Sequence, residues 1–193
     1  MIDRQRPCAA AAIALLAAGL LLSVGCHRPA CVLELRSYQD PYFPETYRLP
    51  LDRCVCRDDV SGNRDIIGTA THPTADPKQP PITQYLHVHL FWQPKPGVTF
   101  SNETSVNATI RYLVVTPTGS ALYVGTGFVY PKRRRWGRLI AEVETARLHL
   151  EEQVGMPPEV LGDTRLSGTL VAREDSAATV DLMHELDLHL AEP

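Results

Sequence analysis

From residue 83 onward the chain alternates apolar and polar side chains with a period of two. Leu86, Val88, Leu90 and Trp92 form one row, and Tyr85, His87, His89 and Phe91 form the other. Successive side chains of a strand point to opposite faces, so this pattern predicts a half-buried β-strand. Val106, Ala108, Ile110, Tyr112 and Val114 repeat it, with Asn107, Thr109 and Arg111 opposite. Thr116, Pro117, Thr118, Gly119 and Ser120 then supply a tight turn. Leu122, Val124, Thr126, Phe128 and Tyr130 return, so 106–130 is predicted to be an antiparallel hairpin. Further strands are expected over 138–150 and 164–173, with a loop at 155–162 between them.

The tail has two readings. Val180, Leu182, Leu186, Leu188 and Leu190 alternate as a strand would, yet 177–191 is rich in Ala, Leu, Met and Glu. Asp175 or Ser176 is a suitable helix cap, and a helix would carry Ala178, Leu182, Met183, Leu186 and Leu190 on one face. The helix is preferred. Upstream, two proline-rich stretches, 41–50 and 71–81, read as extended loop or linker. Short strands are expected at 32–37, 54–58 and 65–70. The predicted class is therefore mainly β: an antiparallel β-sandwich or strongly curved sheet, with one C-terminal helix. A single domain over 32–193 is expected, with an N-terminal portion 32–71, a Pro-rich linker 72–82 and a main body 83–193.

Residues 1–26 stand apart. Arg4 and Arg6 precede an uncharged run, 8–25, that ends in small residues and Cys26. A basic start, an apolar run and small residues at its end make a secretory signal. Leu22, Ser23, Val24, Gly25 and Cys26 resemble the lipobox of bacterial lipoproteins. That resemblance implies a signal peptide over 1–25, a diacylglyceryl group on the Cys26 thiol and cleavage just before it. Acylation of the new amino terminus, often by palmitate, would follow. An uncleaved anchor and ordinary signal-peptidase cleavage are the rival readings, and all three export the chain. The expected address is the bacterial cell envelope, in either membrane. Residues 26–31 form a short tether, under about 20 Å at ~3.4 Å per residue.

Charge and cysteine content narrow the classes. The formal charge of −3 gives no reason to expect nucleic acid as a partner. In an oxidising envelope Cys31 can pair with Cys54 or with Cys56. Metal binding by the Cys54-x-Cys56 pair is the competing use of those thiols.

Other candidate chemistry is sparse. His87-x-His89 puts two imidazoles on one strand face, a spacing that could share a metal, with His72 or His149 as distant third ligands. A polar sheet face is the simpler reading, so no metal is expected. His184 and His189 lie five apart, about 140° apart on a helix, and do not make the zinc-protease pair. Gly125 and Gly127, within a strand, should leave room for an aromatic ring or permit a bend. Asn102 and Asn107 begin glycosylation sequons that an envelope lipoprotein would not use. Lys132, Arg133, Arg134, Arg135, Trp136 and Arg138 form a basic hairpin tip suited to anionic lipid or an acidic envelope protein.

No nucleophile elbow, phosphate loop or cofactor motif occurs. The expectation is a non-enzymatic, membrane-anchored envelope lipoprotein acting as a binding or accessory module, without a cofactor. The alternative is a periplasmic metal-binding protein using His87 and His89, or Cys54 and Cys56.

Overall fold

The alternating rows become nine strands, and the ambiguous tail becomes a helix. A computed structural model describes residues 31–94, 105–135, 137–157 and 161–191, the side chains of 133–135 excepted. The signal and lipobox, Cys26, Trp136 and the Asn102 sequon lie outside the described residues. The elements are β1 (Cys31–Ser37), β2 (Glu45–Leu51), β3 (Arg53–Asp58), β4 (Arg64–His72), β5 (Ile82–Leu90), β6 (Ala108–Thr116), β7 (Gly119–Arg135), β8 (Arg138–Gly155), β9 (Thr164–Glu174) and α1 (Ser176–Ala191). Among the described residues, no helix is long and apolar enough to cross a membrane.

The strand order is β2-β1-β9-β3-β4-β5-β6-β7-β8, and β8 pairs with β9 as well. That last pairing closes seven strands, β3 to β9, into a barrel. Instead of two stacked sheets, one sheet curls until its edges meet. Closure removes exposed edges, which a sandwich would leave. The seam is short on one side. β3 meets β9 in parallel at two pairs, Val55 with Arg173 and Cys56 with Glu174. On the same edge of β9, β1 takes Thr164 to Thr169.

Two long strands make the curvature possible. The β7–β8 ladder shifts register at Leu122/Tyr123, Phe128/Val129 and Pro131/Arg133. Each shift bends the pair. At the same corner the β8 backbone crosses Gly125 and Gly127. A Cβ on Gly125 would lie 1.8 Å from the Arg147 carbonyl oxygen. The partner of this glycine pair is therefore backbone at a bend, not an aromatic ring. Asn107 extends the ladder by side chain: its Nδ2 donates to Val129 O at 2.8 Å, and Val129 N donates to its Oδ1 at 2.7 Å.

The proline-rich segments behave differently from each other. Residues 73–81 do form a loop, between β4 and β5, which pair along their full lengths. Residues 45–51, expected to be loop, form a strand despite Pro50. Proline lacks a ladder donor and is tolerated on an edge. β2 is such an edge, paired only with β1 among the described residues.

Two apolar layers result. Leu33, Leu35, Leu86, Val88, Ile110, Tyr123, Leu166 and others fill the barrel interior. On the outer wall α1 lays Ala178, Leu182 and Leu186 over Val55, Ile67, Tyr85, Leu113 and Leu122, with Met183 and Leu190 at the margin. The helix starts where Asp175 accepts from Ala178 N at 3.1 Å, a standard N-cap.

Candidate functional site

The inward row of β5 continues past Leu86 to Gln84 and Ile82, toward the end of the barrel where β4 stops and β7 begins. There the apolar filling stops short. A cavity of about 520 Å³ remains, within the range of small-molecule sites. Leu35, Leu49, Ile82, Val114 and Leu161 give it apolar walls, with the rings of Tyr47, Tyr112 and Tyr123. Among the described residues no carboxylate lines it, and Arg48 and His72 are its basic side chains.

At its Leu161 wall the backbone is held by hydrogen bonds. Tyr123 Oη accepts from Leu161 N at 2.8 Å. Ser37 Oγ and Thr164 Oγ1 donate to the Leu161 carbonyl, at 2.5 and 3.4 Å. Burial pushes the Tyr112 phenol up, well away from ionisation. Gln84 Oε1 is buried without a hydrogen-bond partner, the single such side-chain atom among the described residues. Buried acceptors are nearly always satisfied, so the Gln84 side chain at the cavity wall is a candidate contact for a donor. Sequence reasoning did not find this cavity. The available signal was Gln84 itself, a polar residue in an otherwise apolar strand row.

At the opposite end the barrel is filled by charge. Arg64 points inward and is buried. Its Nε and Nη2 grip Asp58 Oδ1 and Oδ2 at 2.5 and 3.0 Å, a bidentate fork. That ion pair, with burial opposing it, raises the Arg64 guanidinium further.

A second polar cluster lies on the outer wall beside α1. It holds His87 and His89, the pair singled out by its spacing. Asp65 is the hub. Its Oδ1 accepts from His87 Nε2 at 3.1 Å and from His89 Nδ1 at 2.8 Å, and its Oδ2 accepts from Arg57 Nε at 3.2 Å. Burial alone would raise the Asp65 carboxyl. The hydrogen bonds from His87, His89 and Arg57 outweigh it and hold the group well below the ordinary 3.8.

Arg111 completes the cluster. Its Nη2 is 3.1 Å from His87 Nδ1, and its Nη1 donates to Asp187 of α1 at 3.1 Å. A guanidinium has no acceptor, so His87 Nδ1 must accept. This network assigns the ring proton to Nε2. Both ring nitrogens of His87 are thus engaged, leaving it neither a ligand position nor a free base. The polar face expected there carries two hydrogen-bonded histidines, of which His87 is buried.

The remaining candidates are dispersed. His72 is on the inner wall at the cavity. His149 is exposed on β8 and faces Glu151 at 3.2 Å. Neither joins His87 and His89, and no group of three potential metal ligands occurs among the described residues. Cys31, Cys54 and Cys56 are buried thiols facing the interior. The basic stretch does form the β7–β8 hairpin tip, where Arg135 pairs with Arg138 and Gly137 takes φ 65°. Lys132 pairs with Glu142; the side chains of Arg133, Arg134, Arg135 and Trp136 lie outside the described residues.

Comparison with protein-family models, with curated proteins and with solved structures finds no match to this chain.

Proposed function

We propose that this chain is an exported lipoprotein of the bacterial envelope, anchored through Cys26. Its barrel is a non-catalytic binding module for a slender, uncharged apolar molecule with one hydrogen-bond donor. The observation that carries the reading is the apolar cavity lined by Gln84, a residue whose buried Oε1 has no hydrogen-bond partner. An apolar chain matches the walls, and a hydroxyl or amide N–H matches the acceptor.

Orientation supports the anchor. Cys31, one residue beyond the Val32–Thr169 pair, lies near the level of Ala141. The Arg135–Arg138 turn is a few residues further along. The tether therefore joins the barrel toward its basic end, while the cavity opens at the other. A bilayer holding Cys26 would meet the basic turn and leave the cavity facing away. The alternative, a metal-binding protein, has less behind it, because His87 is already bonded at both nitrogens.

The test uses full-length protein extracted in polymer-bounded native membrane particles, which avoids competing detergent. Bound small molecules are extracted and weighed by mass spectrometry. A naphthylamine dye in the cavity is then titrated with 1-decanol and with decane. Decanol should displace the dye at several-fold lower concentration, since one neutral hydrogen bond contributes ~0.5–1.5 kcal/mol. No displacement by either would remove the binding reading. Labelled palmitate that persists in Cys26→Ala would remove the anchor.

A further inference from the structure

The barrel has a gap in its seam, and two thiols meet there. On one edge of β9, β1 pairs as far as Thr169 and β3 begins at Arg173. Residues 170–172 have neither strand beside them on that edge. Cys31 fills the gap with its sulfur: Val171 N donates to Sγ at 3.2 Å, and the thiol faces Val171 O at 3.7 Å. Cys54 comes from the other side. By register it lies one residue before the Val55–Arg173 pair, so it stands beside residue 172. Cys31 stands beside residue 170. Two residues along a strand are about 6–7 Å, near the upper end of the Cα separations that disulfides span. Both side chains point into the core and join the same buried cluster.

We propose that Cys31 and Cys54 form a disulfide in the exported protein, a staple from β1 to β3 across the unpaired stretch of β9. Cys56 keeps its thiol. The oxidant rests on the export reading above; the choice of partner does not. Because both sulfurs are buried in the folded barrel, exchange takes place before the seam closes. The Cys31 thiolate attacks an oxidising disulfide, forms a mixed disulfide and expels one donor thiolate. Cys54 loses its proton and attacks Cys31 Sγ, expelling the second donor thiolate. Two electrons pass to the donor disulfide, and two protons are released to solvent or to the departing thiolates.

The staple would fasten the tethered strand to the weakest join of the barrel, so that load on the lipid anchor does not peel β1 away.

Full-length protein in isolated membranes is denatured with a thiol-blocking maleimide, digested and mapped by mass spectrometry. A Cys31–Cys54 bridge with a blocked Cys56 is expected. A bridge involving Cys56 would overturn the assignment. Protease accessibility in spheroplasts, measured on the same cells, reports export separately. In a second arm the full chain is unfolded in detergent, refolded in a mixed glutathione buffer and mapped again. The same bridge should form there whatever the cellular location, and failure to form overturns the proposal. The oxidised form should melt about 6–12 °C above the reduced one, the shift expected for a loop of this length in a domain of this size.

Discussion

Asp65 on β4 and His87 on β5 are joined by a 3.1 Å hydrogen bond under the edge of α1. Arg111 holds the other side of the same ring and reaches Asp187 on the helix. The cluster therefore ties β3, β4 and β5 together around one buried carboxylate and reaches the helix through the half-exposed Arg111–Asp187 pair. Asp65→Asn keeps a neutral Oδ1 for His87 and His89 but removes the charge and sets an NH2 against Arg57. Asp65→Asn should cost about 3 kcal/mol, the scale for breaking a buried charged pair. A urea midpoint unchanged from wild type would contradict this.

The same carboxylate sets an acid limit. Its folded-state value lies below 3.8. As pH falls, the unfolded chain takes up the proton first. The stabilisation is thus complete above about pH 4 and is lost progressively below it. Urea midpoints from pH 6 down to 2.5 should fall steeply below ~4 in wild type and more gently in Asp65→Asn.

Much of this fold was legible because its signals are local. Row alternation marks β5, β6 and β7, and Ala- and Leu-rich composition with a cap at Asp175 marks α1. Barrel closure was not legible. It rests on Val55 meeting Arg173, strands far apart in sequence joined by two residue pairs. β2 was hidden by its prolines, which an edge strand accepts. His87 and His89 were correctly placed on one face, but the register that brings Asp65 and Arg111 to them is tertiary information. One hint existed: Asp65 sits within an apolar strand pattern, where a charge is costly unless paired.

Gln84 separates a binding site from a packing defect. If Oε1 serves only itself, Gln84→Leu removes a buried unpaired acceptor and raises stability by about 1 kcal/mol. If it also orients a ligand, the same variant loses its preference for decanol over decane while still binding the dye. Both outcomes are expected together: a higher Tm and a flattened selectivity. Retained selectivity would show that the acceptor does not face the ligand.

Leu186 is the anchor point of the helix. It is fully buried in the apolar layer between α1 and the wall. Leu186→Ala should cost about 2–4 kcal/mol through lost burial and the cavity left behind. The Arg111–Asp187 pair is half exposed and contributes little alone, so Asp187→Ala should cost about 0–1 kcal/mol. Comparable losses in the two variants would mean that the charge, not the apolar face, holds the helix.

The basic turn offers the membrane a second contact. Arg133, Arg134 and Arg135 precede the turn at the barrel end that the tether joins. Basic residues near an anionic surface contribute ~1 kcal/mol each, so three changed to Ser should weaken binding by about 100-fold at low salt. The measurement is flotation of the chain from residue 27 onward with vesicles rich in phosphatidylserine, which removes the lipid from the comparison. The preference should shrink at 0.5 M salt, where the screening length falls to roughly 4 Å. It should be absent with neutral phosphatidylcholine. Equal flotation of wild type and the triple variant at low salt would reduce the tip to a solvated hairpin end and leave Cys26 as the sole proposed membrane contact.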